Sequence, residues 1–112
     1  MENANDFRIC LITTDSYDNA VQIARILVAE KSAACCNIIQ GINSIYEWEG
    51  TIKHDREYLI IAKTRSDKME QLEDRVKELH PYDIPEIISY ALSEGSKEYL
   101  DWVNNAFDEK ND

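Results

Sequence analysis

The stretch CNIIQGINSIYEW, Cys36 to Trp48, together with the turn Glu49-Gly50 and the returning TIKHDREYLIIAKT, Thr51 to Thr64, decides the fold. The first segment is rich in isoleucine and aromatic residues and reads as a strand. Glu49-Gly50 supplies a tight turn, because glycine takes positive φ without a Cβ clash. Gly41 inside the segment predicts a bulge or a bend. At ~3.3 Å per residue the segment reaches roughly 43 Å. A globule of this length has a radius of gyration of ~13 Å, hence a diameter of about 34 Å, so the hairpin overhangs its own domain. A lone two-stranded ribbon is marginal in water. With Ile45, Tyr46 and Trp48 near its tip, such an arm invites pairing with another copy. The reading is a homo-oligomer whose arms cross to neighbouring subunits. The alternative is that Gly41 divides the segment into two short strands of a monomer.

Working outward, Phe7 to Thr14 reads as a central strand, apolar on both faces. Asp15 and Ser16 are helix-capping residues, and Asn19 to Lys31 carries the stripe Ala20, Ile23, Ala24 and Leu27 at helical spacing. Downstream of the hairpin, Ser66 or Asp67 is expected to cap a helix with the stripe Met69, Leu72, Val76 and Leu79. His80-Pro81 ends it, since the residue before proline avoids the helical region. Pro85 to Leu92 is a fourth strand, and a last helix carries Tyr99, Leu100, Val103 and Phe107. The order is β-α-β-β-α-β plus a helix: an α+β, ferredoxin-like domain. Two right-handed crossovers place both main helices on one face of a four-stranded sheet. The other face is left partly apolar and in need of cover. One domain covers residues 1–112, with a core over 7–107 and polar tails at 1–6 and 108–112.

With 112 residues, 44% hydrophobic and 30% charged, the chain has the material for one core. The net charge of −10 argues against nucleic acid or an anionic membrane as partner. The first residues lack the basic-then-apolar pattern of a secretory signal, and no apolar run approaches the ~20 residues that span a bilayer. The cysteines, Cys10, Cys35 and Cys36, are odd in number and read as reduced thiols of a cytoplasmic protein.

Six short motifs occur in order: Ala33-Ala34-Cys35, Tyr46-Glu47-Trp48-Glu49-Gly50, Lys63-Thr64, His80-Pro81-Tyr82, Ile84-Pro85-Glu86 and Tyr99-Leu100-Asp101-Trp102. Together, from about Phe7 to Phe107, they resemble the CutA divalent-cation-tolerance family. The resemblance implies a PII-like trimer in which long hairpins complete sheets between subunits. It also implies a role in the response to metal ions, with Cu(II) or another divalent cation as ligand and no organic cofactor.

For metal ligation the candidates are His80, Cys35 and Cys10. Some relatives carry ligands at the positions of Leu79 and Ile12, and Cys10 shares a strand face with Ile12. Competing with ligation are a buried structural role for Cys35 and simple helix-end capping by His80. A ligand pocket at the subunit boundary is the second candidate site, lined by Lys63, Glu86, Tyr82 and Trp48. Lys63 in an interface ion pair, with Trp48 and Tyr82 as packing, is the competing account. No nucleophile elbow, HExxH or glycine-rich phosphate loop is present, so no enzyme activity is expected. A signalling or scaffold trimer binding a small ligand is the alternative function.

Overall fold

The computed structural model describes residues 1–108. Its elements are β1 (Glu2–Asn3), β2 (Phe7–Thr14), α1 (Tyr17–Ala29), β3 (Cys35–Trp48), β4 (Thr51–Arg65), a 3₁₀ turn (Ser66–Lys68), α2 (Met69–Leu79), β5 (Ile87–Ala91), β6 (Glu94–Gly95) and α3 (Lys97–Ala106). The main sheet has the order β3-β4-β2-β5, antiparallel throughout. That is the split β-α-β arrangement of a ferredoxin-like α+β fold.

Local chemistry sets the helix limits. Ser16 caps α1, its hydroxyl accepting the Asn19 N–H at 3.1 Å, so the helix starts two residues before the expected Asn19. It closes in a Schellman motif: Ser32 N–H donates to the Leu27 carbonyl and Lys31 N–H to that of Val28, with Lys31 at φ 60° where glycine is commoner. The expected side-chain cap on α2 is not made. Asp67 is held by the Arg65 guanidinium at 3.0 and 2.9 Å, and the chain enters α2 through the 3₁₀ turn instead. His80 adopts an extended conformation and ends α2 as the following proline requires. The last main strand is shorter than Pro85–Leu92, since only Ile87–Ala91 pairs with β2.

Two short strands are absent from the sequence reading. Glu2–Asn3, placed there in a polar tail, pairs with Glu94–Gly95, and Ala4 behind it is buried. Ala4 packs with Phe7, Ala34, Leu100, Val103 and Phe107 in a small core under α3. Of the expected C-terminal tail only Asp108 lies within the described residues.

The main core lies between the sheet and α1 and α2. Cys10 and Ile12 of β2 and Ile60 and Ala62 of β4 meet Ile23 and Leu27 of α1 and Leu72 and Val76 of α2. The opposite sheet face carries Ile9, Leu11, Leu59 and Ile61, and α3 packs only at its Phe7 end. On it Ile88 and Tyr90 are 55% and 54% exposed.

β3 and β4 run well beyond this body. The molecule measures 47 × 28 × 23 Å with a radius of gyration of 15.0 Å, above the ~13 Å of a compact chain of this length. The arm's turn is Glu49-Gly50, both at positive φ (50° and 80°), between the paired residues Trp48 and Thr51. This is the two-residue geometry that suits strand twist. Gly41, at φ 72°, lies in a β-bulge: Ile39 opposes Leu59 and Ile42 opposes Glu57, so β3 carries one extra residue. Before the bulge the odd-numbered residues of β3 share the open face with the odd-numbered residues of β4. Beyond it the even-numbered ones do, and so Tyr46 and Trp48 face the same side as Asp55 and Glu57.

Candidate functional site

A cleft of about 600 Å³ lies on the open side of the sheet, where the arm leaves the body. The arm supplies Tyr46, Trp48, Asp55 and Glu57, and β2 supplies Thr13. The segment between α2 and β5 supplies Tyr82, Asp83, Ile84 and Glu86. That segment is pinned by its own sequence. His80 is buried, and its Nε2 lies 2.6 Å from the Thr13 carbonyl. Its Nδ1 accepts the Tyr82 backbone N–H at 3.1 Å. The acceptor role of Nδ1 assigns the neutral ring with the proton on Nε2, donated to Thr13. The Tyr82 ring packs edge-on against His80 at 4.8 Å, and its hydroxyl donates to Glu57 at 2.7 Å. Burial, and then the bond to Glu57, raise the Tyr82 pKa above that of an ordinary phenol. Tyr46 donates its hydroxyl to Asp55, which raises its own pKa in turn.

Of the expected pocket residues, Trp48, Tyr82 and Glu86 come together here. Lys63 does not line the cleft. It shares the open face, but six residues along β4 from Glu57, roughly 20 Å away, and its ammonium donates to Asn37. Sequence reasoning missed Thr13, Tyr46, Asp55, Glu57, Asp83 and Ile84. The Tyr46 signal was available in the hairpin-tip motif. That of Glu57 was not, because its partner Tyr82 is remote in sequence.

The metal-ligand candidates lie apart within one chain. Cys10 is fully buried beneath the helices, where desolvation, with Glu73 adding to it, pushes the thiol from 9.0 up to about 12. It is a protonated side chain of the core. Cys35 faces the opposite, open side of the sheet, beside Lys63 in the register. His80 sits at the far end of β2 with both ring nitrogens engaged. Among the described residues no three His, Cys, Asp or Glu groups are placed to hold a metal ion.

A two-layer α+β domain with an overhanging β-arm, and a cleft of acids and aromatics at the arm's base, defines the class of protein to which this fold belongs. Residues 8–106 match the family model described as CutA1 divalent ion tolerance protein. The chain belongs to this family. It is 46% identical over 95 residues to the divalent-cation tolerance protein CutA of Thermus thermophilus, covering 85% of this chain and 92% of that protein. It is 41% identical over 98 residues to the chloroplastic CutA of Arabidopsis thaliana, covering 88% of this chain but 54% of that longer protein. Among solved structures, CutA1 from Oryza sativa superposes with a TM-score of 0.90 at 35% identity, covering 96% of this chain and 99% of that one. The T. thermophilus protein superposes with a TM-score of 0.85 at 45% identity, covering 87% and 94%.

Proposed function

We propose that this chain acts as a homotrimeric, cytoplasmic divalent-cation-tolerance protein in the response to metal ions, without catalysing a reaction. Family membership and the name of the T. thermophilus relative support the cation role. The observation that carries the assembly is the uncovered apolar sheet face beside a projecting arm: Ile88 and Tyr90 are exposed there, and Ile39 lies on the same side. The free thiols suit a reducing compartment, and the acidic charge disfavours nucleic acid and anionic membranes as partners.

Cu(II) or another divalent cation then binds between copies. Of the three candidates Cys35 is the one on the face that sister chains would cover, whereas Cys10 is in the core and His80 is bonded on both nitrogens. Titration with Cu(II) and Zn(II) tests this. Cys35→Ser should lower affinity about tenfold or more. His80→Ala should leave affinity nearly unchanged while costing about 1–3 kcal/mol of stability, because it leaves the Thr13 carbonyl without its donor. Unchanged metal affinity in the Cys35→Ser protein would move the cation to the acidic surface.

A second reading is favoured by a specific observation. The cleft that gathers Trp48, Tyr82 and Glu86 lies on the face proposed to meet a sister chain, which suits a PII-like signalling or scaffold trimer holding a small ligand between subunits.

A further inference from the structure

We propose that the cleft at the base of the arm binds a primary organic ammonium, one positive charge on a small apolar body, with Glu57 as its charge partner. The proposal rests on reading the cleft as a ligand site and names the class of ligand.

Glu57 carries the inference. It is only 6% exposed, and among the described residues the Tyr82 hydroxyl is the one hydrogen-bond partner of its carboxylate. The ion pairs Arg65–Asp67, Arg75–Glu30, Arg75–Glu78, Lys77–Glu73 and Lys97–Asp101 leave Glu57 out. A carboxylate taken from water needs a counter-charge and donors for its remaining lone pairs. One neutral hydroxyl supplies neither the charge nor enough donors. Glu57 lines the cleft, and since no buried side-chain oxygen among the described residues lacks a partner, its second oxygen opens into the cleft where a donor can reach it.

The rest of the lining narrows the chemistry. Asp55, Asp83 and Glu86 add negative potential and none of the lining residues is basic, which disfavours anions. Tyr46, Trp48 and Tyr82 present aromatic surface, which attracts a cation and covers apolar carbon. Ile84 extends that wall. A bare metal ion is poorly served, because no three ligating groups among the described residues are suitably placed. A primary ammonium fits better than a quaternary one, since it can donate to the free Glu57 oxygen. The volume lies within the ~300–1,000 Å³ of small-molecule sites. The site is also held in shape beforehand. His80 fixes Tyr82 through the backbone bond and the ring contact, and Tyr46 is fixed by Asp55. His80 is thus a positioning residue.

Calorimetric titration of the assembled protein with benzylammonium, benzyl alcohol and benzoate tests the proposal, because the three probes share a shape and differ in charge. Benzylammonium should bind at least about tenfold more tightly than benzyl alcohol, and benzoate should not bind. Glu57→Gln preserves size and can still accept from Tyr82. It should weaken benzylammonium about tenfold or more with an unchanged or higher melting temperature, since a buried charge is removed. Trp48→Ala, a change on the exposed arm, should weaken the same probe several-fold and keeps the test available if Glu57→Gln misfolds. Equal binding of benzyl alcohol and benzylammonium would overturn the cation class and leave the ligand site standing. Binding of none of the three would overturn both. If Glu57→Gln instead dissociates the assembly, a sister chain's basic side chain is the counter-charge and the proposal fails.

Discussion

His80 spends both ring nitrogens on the backbone, donating to Thr13 and accepting from Tyr82. The His-Pro-Tyr motif therefore stops α2, turns the chain and aims the Tyr82 hydroxyl at Glu57. The thiols also lead to a prediction at this scale. Burial comes first among the causes that lift Cys10 and Cys36 from 9.0 to about 12. A thiol whose folded pKa lies above its unfolded value costs nothing while both states are protonated. Once the unfolded thiol ionises, stability declines until the folded thiol also ionises. Stability should therefore fall as pH rises above 9.0 towards 12, by up to ~1.4 kcal/mol per pH unit for each thiol. Urea midpoints between about pH 8 and about pH 10 measure the slope, and Cys10→Ala/Cys36→Ala should flatten it. An equally steep decline in that variant would place the titration elsewhere.

The hairpin shows how two glycines and one glutamate shape an element. Gly50 and Glu49 both take positive φ at the tip. Glycine does so freely, whereas a residue with a Cβ is strained there by about 1–2 kcal/mol. Asparagine tolerates that region better, and Asn-Gly is a preferred pair for this turn. Glu49→Asn should therefore raise stability by about 0.5–1 kcal/mol, read as a higher melting temperature with the assembly unchanged. A lower melting temperature would mean that the Glu49 side chain makes a contact across subunits. Gly41 is more constrained: besides its φ of 72°, an added Cβ would stand 3.1 Å from the Arg56 guanidinium. The bulge it permits sets which arm residues face the cleft.

For the whole molecule the governing fact is an α+β domain with α1 and α2 on one side of its main sheet and only α3, at the Phe7 end, on the other. The exposed Ile88 and Tyr90, the half-buried Ile9, Leu11 and Ile61, and the arm form one continuous side. Burying an exposed isoleucine is worth about 1.5–3 kcal/mol, and a three-fold assembly would repeat that gain in each copy. Ile88→Asp leaves the helix-side core untouched and puts a charge where a sister chain would pack. Sedimentation should show that variant as a folded monomer and the parent as a trimer. A trimer that survives the substitution would mean that the face is not the interface.

Much of this protein was legible in one dimension. The alternation in Phe7–Thr14, the stripes of α1 and α2, the Glu49-Gly50 turn and the overlong hairpin follow from residue spacing and fixed backbone dimensions. Those are local properties, and the chain order carries them. What only the tertiary structure decided is which side chains meet. A one-residue bulge at Gly41 reverses the parity of β3 and brings Tyr46 and Trp48 to the face of Glu57. Gly41 marks where a bulge or a bend can form, but the sequence does not say which of the two it is or how far the register moves. Lys63 falls outside the cleft and Cys10 and Cys35 onto opposite sides of the sheet for the same reason: strand neighbours are set by pairing. Glu57 became a candidate anchor only when Tyr82, twenty-five residues away, was folded onto it, because burial and the lack of a counter-charge are properties of a place in space.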